Sequence, residues 1–433
     1  MPSSSPVARG SSDDDTTLFM DGEEKPASFE STLSPRILYR SLPMNPIDDP
    51  KASGLHEHTR LAQAGSRWCS HTGAVSMPIY KSATFRHPGV GQSTGFDYSR
   101  TSNPTRKELE TVLAAMEGAE RALAFSTGMA AVDCVLRLFK PGDVIQVIED
   151  LYGGTWRIME NLFRPWGLDI RYIDPLTVTD GKLGPHLLPE SKGLFIESPT
   201  NPVMRVFDLR ESVQAAHALG QIVIVDNTFQ AFLCKPLELG ADVVLFSGTK
   251  YLGGHNDLLC GVLAARTPEL AERLGWLQNT TGAVLGPEDS WLLLRSLKTL
   301  PLRLARQEEN ASALAHWLWA HPRVVKVHYP GLADHPGHAL HRSQSNGFGG
   351  MLSIEVDDPA LVKQILERVK VWMYAESLGG VESLITFPVL QTHADIAVEV
   401  RERLGVNDRL LRLSVGIEHI DDLVADLAQA LEV

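Results

Sequence analysis

The chain has 433 residues, 43% of them hydrophobic and 21% charged, with a formal net charge of −13. That length exceeds one small core and implies two or three packed subregions, while the acidic balance argues against nucleic acid or an anionic membrane surface as the main partner. No apolar run approaches a membrane span, and the four scattered cysteines (Cys69, Cys134, Cys234, Cys260) show neither CxxC nor metal spacing, as expected of reduced thiols in a cytoplasmic protein.

Residues 1–50 hold SSSP, SSDDDTT and DGEEKP. They have too few clustered apolar residues to order themselves. They lack the basic start and apolar stretch of a signal peptide and are too acidic for a transit peptide. A disordered extension, or one draped over a partner subunit, is expected.

From about residue 105, helix-like and strand-like runs alternate. TRKELETVLAAME (105–117) has apolar residues at helical spacing, and ALAF (122–125) is a short apolar run. Residues 130–139 are helical again, and PGD turns the chain into a strand at 144–148. Further apolar runs at 194–196, 222–225 and 243–246 are separated by helix-like segments such as 209–219. The alternation predicts an α/β domain around a mostly parallel sheet. Ligands of such sheets collect at the carboxyl ends of the strands. One helical stretch over 287–318 leads into a second region, and the tryptophans of WLWAH (317–321), Trp317 and Trp319, are expected to pack against it. There MLSIEV (351–356) reads as a strand, and 361–369 and 422–432 read as helices, predicting an α+β domain from about residue 290.

Polar residues stand just past several of these apolar runs. Asp226 ends QIVIVD, and Ser126-Thr127-Gly128-Met129 follows ALAF and opens a helix. Lys250 follows VVLF with Ser247 and Thr249 beside it. Free N–H groups at a helix start, flanked by hydroxyls, suit a phosphate. A buried lysine is costly unless it is paired or its lowered pKa serves a nucleophile. Lysine, phosphate cradle and strand-end carboxylate together suggest pyridoxal phosphate. Each piece alone is also an ordinary cap, turn or surface residue.

Longer motifs carry a resemblance. FDYSRTSNPTRKELE (96–110), FSTGMAAV (125–132), DLYGGTWR (150–157), ESPTNPVMRV (197–206), VDNTF (225–229), SGTKYLGGHND (247–257), AESLGGVESLITFP (375–388) and LLRLSVGIEH (410–419) occur in order. Together they resemble the Cys/Met-metabolism family, the γ-family of fold-type-I pyridoxal-phosphate enzymes, over about residues 58–433. The resemblance implies a fold-type-I architecture: an arm at 51–105 reaching the neighbouring subunit's active site, a large α/β cofactor domain at 106–290 and a smaller α+β domain at 291–433. It also implies a homotetramer with shared sites.

The same resemblance makes Lys250 the lysine that carries the cofactor and shuttles protons, and makes Asp226 the partner of the pyridine nitrogen. Tyr152 stacks on the ring and acts as acid or base, and Gly128, Met129, Ser247 and Thr249 cradle the phosphate. Tyr98 and Arg100 reach the phosphate from the neighbouring subunit. Asn201 and Arg412 hold the α-carboxylate of an amino-acid substrate, with Ser377 beside them. Glu376 meets the distal ammonium of a cystathionine moiety.

Subgroup features resemble enzymes making cystathionine or homocysteine from an O-acylhomoserine and cysteine or sulfide. Asn256 stands where many γ-lyases have serine, and Gly154 stands where methionine γ-lyases have cysteine. Cys260 departs from the small residue usual there and is expected to fill the core. Cystathionine γ-lyase chemistry is the alternative reading. A non-catalytic scaffold of the same fold is a remoter one, and an aminotransferase is disfavoured by the AESLGGVESLI and YSRTSNPTR motifs. The histidines of HPGHALH (335–341) are not expected to bind metal, because the Pro-Gly break disturbs helical spacing.

Overall fold

The computed structural model describes residues 54–66, 69 and 72–432. The extension expected at 1–50 lies outside the described residues.

Seven strands form the first sheet: β1 (Arg121–Phe125), β2 (Val144–Ile148), β3 (Asp169–Ile173), β4 (Ser191–Glu197), β5 (Ile222–Asp226), β6 (Val243–Ser247) and β7 (Gly261–Ala265). Their order is β1-β7-β6-β5-β4-β2-β3. The five strands β6, β5, β4, β2 and β3 pair in parallel, while β7 runs against both of its neighbours. The central strands are buried nearly end to end, the condition of a sheet covered on both faces, and this is why they read as continuous apolar runs. Because β7 opposes both β1 and β6, those two point the same way. The chain after Phe125 therefore emerges at the same sheet edge as Glu197, Asp226 and Ser247.

A second sheet has β8 (Val324–His328), β9 (Met351–Val356), β10 (Met373–Tyr374), β11 (Leu384–Thr386) and β12 (Leu410–Ser414) in the order β10-β11-β12-β9-β8. The expected α+β pattern is present here, with helices Pro359–Arg368 and Ile420–Leu431.

Local signals explain the helix that leads into the first sheet. Asn103 accepts hydrogen bonds from the Thr105 and Arg106 N–H groups, Pro104 fills the first helical position, and Gly118 closes the helix at φ 65°. The single helical stretch expected over 287–318 is instead two helices, Pro287–Leu297 and Leu300–Trp319. Pro301 lacks an N–H and its ring would clash with the carbonyl of Leu297, so the first helix cannot run through it. The turn falls at Lys298 and Thr299, and Pro301 is accommodated in the first turn of the second helix. Leu293, Leu297, Leu300 and Leu304 pack with Leu113 and Phe246 of the first core, whereas Ala311, Leu314 and Leu318 belong to the core of the second sheet. The second of these helices thus spans both cores. Of its two tryptophans only Trp317 packs on a core; Trp319 is exposed, because two positions along a helix faces away.

Candidate active site

The strand ends of the first sheet line an open cleft of about 930 Å³, to which Arg412 of β12 and the loop residues Glu376, Ser377, Leu378 and Thr392 also contribute. Lys250, Tyr152, Gly128, Met129, Asp226, Ser247, Thr249, Asn201, Glu376, Ser377 and Arg412 all line it.

At the floor, Glu197 and Asp226 end β4 and β5 in register and so face the cleft side by side. Asp226 Oδ1 accepts hydrogen bonds from the Thr228 hydroxyl (2.6 Å) and the Thr228 N–H (3.0 Å). Burial pushes its carboxyl up to about 6 against those bonds. Thr228 Oγ1 in turn accepts from the Ser247 N–H at 2.9 Å, tying β5 to β6.

On the β1 side, Thr127 caps the helix Gly128–Leu136 by accepting from the Ala130 N–H. A Cβ on Gly128 would come within 3.1 Å of Ser247 Oγ, so only glycine lets the helix start approach that hydroxyl without a shift. The Thr249 hydroxyl accepts from the Cys260 N–H at 3.0 Å, fixing the loop that carries Lys250. Cys260 itself is fully buried in the first core.

Lys250 Nζ donates to Ser377 Oγ at 2.9 Å. Burial, and then the Arg412 charge, lower its pKa to about 8, while Glu376 opposes the shift. Ser377 sits at φ 85°, a left-handed conformation rare for a non-glycine residue and common at ligand sites. That conformation presents its hydroxyl to Lys250 and its carbonyl to Arg412 Nη2 (2.9 Å).

Arg412, at 1% exposure, also donates to Asn201 Oδ1 (3.0 Å) and Thr386 Oγ1 (3.2 Å). All of these partners are neutral oxygens, and its buried Nε–H has no partner. Burial lowers its pKa to about 10. A buried cation hydrogen-bonded only to neutral oxygens, with one N–H unpartnered, suits an anionic ligand.

Two predicted residues lie elsewhere. Tyr98 and Arg100 are outside their own chain's cleft: Arg100 donates to the Asn279 carbonyl at 2.5 Å and stands 5.6 Å from the Tyr98 ring centre. Asn256 does not line the cleft either; its side chain donates to Glu382 at 2.8 Å. The histidines of HPGHALH bond backbone, His338 to the Pro330 carbonyl and His341 to that of Gly347, and both stack on Phe348.

Glu197, Thr228 and Thr386 were not singled out from sequence, although all lie in or next to motifs quoted above. Arg303 anchors structure beside the site. It donates to the carbonyls of Tyr251 (2.8 Å), Leu252 (3.4 Å) and Ser296 (3.0 Å), holding the loop just after Lys250. Arg303→Leu leaves these carbonyls bare and is expected to destabilise the protein by about 3 kcal/mol. Calorimetry checks this; an unchanged melting midpoint would show that the loop holds itself.

The residues present fit pyridoxal phosphate. A helix start with a glycine cradle and adjacent hydroxyls suits its phosphate, a buried strand-end carboxyl suits its ring nitrogen, and a largely enclosed lysine of lowered pKa suits its aldehyde.

The family model described as Cys/Met metabolism PLP-dependent enzyme matches residues 58–432. The chain is 47% identical over 377 residues to a cystathionine gamma-synthase/O-acetylhomoserine (thiol)-lyase of Bacillus subtilis, covering 87% of this chain and 96% of that one. It is 44% identical over 375 residues to a cystathionine beta-lyase of Lactococcus lactis, covering 86% and 98%. The crystal structure of cystathionine gamma-lyase from Lactobacillus plantarum complexed with L-serine superposes with a TM-score of 0.83 at 40% identity, covering 87% of this chain and 98% of that one. With its fold, its cleft and these relatives in agreement, the chain belongs to the Cys/Met metabolism family of pyridoxal-phosphate-dependent enzymes.

Proposed function

We propose that this enzyme replaces the γ-substituent of an O-acylhomoserine with cysteine, or with sulfide, giving cystathionine or homocysteine. The observation that carries the reading is the pair of opposite anchors in one cleft. Arg412 is a buried cation bonded only to neutral oxygens, and Glu376 is an exposed carboxylate beside Ser377. A substrate or product with an α-carboxylate at one end and a second amino group at the other satisfies both.

When bound, the cofactor supplies an electron sink that acidifies the substrate's Cα–H and then Cβ–H bonds. The chain's residues do the rest. The Gly128 and Met129 N–H groups with the Ser247 and Thr249 hydroxyls would hold the phosphate, and Asp226 would hold the ring nitrogen. Tyr152 would flank the ring. A side chain on Gly154 would crowd Tyr152, since a Cβ there falls 2.4 Å from its Cε1.

Arg412 and Asn201 grip the α-carboxylate and aim Cα–H at Lys250. A bidentate grip on a carboxylate fixes orientation as well as position. Lys250 would take the proton from Cα, hand it on, and only then take one from Cβ. The γ-acyloxy group leaves with its bonding pair as a carboxylate. A thiol, losing its own proton, then adds at Cγ, after which Lys250 would return the protons to Cβ and Cα. Tyr98 and Arg100, which lie outside their own chain's cleft, would reach the phosphate of a neighbouring subunit in a homotetramer.

The same anchors serve cystathionine cleavage, and relatives with lyase names are as similar as those with synthase names. A paired product assay by mass spectrometry decides. Purified enzyme with O-acetyl- or O-succinylhomoserine and cysteine is expected to make cystathionine, and cystathionine alone is expected to be stable. Release of cysteine, 2-oxobutanoate and ammonia from cystathionine would make the enzyme a γ-lyase. Homocysteine and pyruvate would make it a β-lyase.

A further inference from the structure

We propose that Glu197 is a positioning residue that joins the cofactor half of the cleft to the substrate half, one carboxylate oxygen on each. Its Oε2 accepts the Tyr152 main-chain N–H at 2.9 Å, and its Oε1 accepts the Asn201 N–H at 3.1 Å. Tyr152 begins the helix Gly153–Ile158 on the cofactor side, and Asn201 bonds Arg412 on the substrate side. No other side chain of the cleft bonds to both segments among the described residues.

The placement runs against the ordinary preferences of a carboxyl. Glu197 is 6% exposed and sits in register with Asp226 on the next strand. Burial first, then the Asp226 charge, push its carboxyl well above the usual range, while the two N–H bonds pull it down. A glutamine of the same shape would escape both penalties. It offers one acceptor oxygen and one NH2 donor, however, and two converging N–H groups need two acceptors. Carboxylate is the smallest group that accepts on both sides from one point.

The turn that Glu197 steers is braced from behind, so a fault in the clamp moves Asn201 and not the whole loop. Thr200 donates to Asp150 at 2.7 Å, and Arg205 pairs with Asp150 and reaches the Leu404 carbonyl at 2.8 Å. With that brace in place, losing either oxygen of Glu197 leaves a local error of orientation. On the Tyr152 side the error changes the packing of the cofactor ring; on the Asn201 side it changes the grip on the amino acid.

The proposal deepens the functional reading above and rests on it only for the placement of ring and carboxylate at Tyr152 and Asn201. Its test uses the tetrameric or otherwise native holoenzyme carrying Glu197→Gln. Three readouts are taken: the visible circular dichroism of bound pyridoxal phosphate, pyridoxal phosphate affinity of the resolved protein, and spectral titration with L-cystathionine. The expected result is an altered dichroic band, with affinity for the cofactor or for cystathionine weakened about tenfold, the scale of one lost buried hydrogen bond. Wild-type dichroism and both affinities unchanged, with only a lower melting midpoint, would overturn it and leave Glu197 a stabilising residue.

If the glutamine variant does not fold, Glu197→Asp takes its place. It keeps both acceptors but withdraws them by one methylene, so a positioning role still alters the band and a role of charge alone does not. Should cystathionine leave even the wild-type spectrum unchanged, the substrate assignment fails while the dichroism and cofactor-affinity arms still decide the role of Glu197.

Discussion

Lys250→Met abolishes turnover, lowering kcat by about 10⁴-fold, the upper end of what a positioned proton-transfer group contributes. The variant keeps side-chain volume and removes only the amine. Borohydride reduction followed by peptide mass spectrometry should find the pyridoxyl phosphate mass on the Lys250 peptide of the wild type and none on the variant. Turnover within tenfold of wild type would remove Lys250 from the chemistry. Turnover lost with the biological role intact would favour the scaffold reading.

A stability measurement on the same variant separates lost chemistry from lost folding. Burial and the Arg412 charge hold the Lys250 pKa at about 8 in the cofactor-free protein, against an ordinary 10.5. Below pH about 8 the lysine is protonated in both folded and unfolded states, and the folded ammonium carries its full penalty, about 3 kcal/mol. Between about 8 and 10.5 the unfolded state holds more protons than the folded one, so stability rises with pH and the penalty fades. The cofactor-free Lys250→Met protein should therefore melt above the cofactor-free wild type at pH 7. That advantage should shrink as the pH rises toward 10. A methionine variant that melts lower at pH 7 would mean that the amine is better satisfied than its single bond to Ser377 implies.

The second large effect is on substrate recognition. Arg412→Leu should lower kcat/KM by about 10²- to 10³-fold, or about 3–4 kcal/mol, the scale for losing one side of a buried charged pair. The loss should fall mainly on KM, because the guanidinium holds the α-carboxylate before and during the reaction. Pyridoxal phosphate binding should survive, since the cradle is built from first-sheet elements and Arg412 stands on β12. Arg412→Lys is expected to recover little. A point charge replaces a planar fork that now reaches Asn201, Ser377 and Thr386 at once. Steady-state kinetics against an O-acylhomoserine checks both variants, and a KM within twofold of wild type for Arg412→Leu would place the carboxylate elsewhere.

Much of this protein was written locally in its sequence, because a strand core or a helix cap is set by residues within a turn of one another. MLSIEV at 351–356 and VIQVI at 144–148 are strands residue for residue. The Thr127 cap and the glycine after it mark the helix start that faces the cleft. The polar side chains standing just past apolar runs, Asp226 and Lys250 above all, were legible for the same reason: a parallel sheet gathers its strand ends at one edge.

Other features arise only where distant segments meet. Asn201 and Arg412 are far apart in the chain, and nothing near either one tells which partner it meets. Glu197 became visible only when strand pairing set it beside Asp226 and turned its two oxygens to two different loops. The left-handed conformation of Ser377, which meets Lys250 and Arg412 at once, was likewise decided by packing. Sequence determined which residues were chemically able to build this site, since that depends on side-chain type and local spacing. Tertiary structure decided which of them share it, since sheet register and the docking of the second sheet are settled by the burial of whole faces, which no short window of sequence contains.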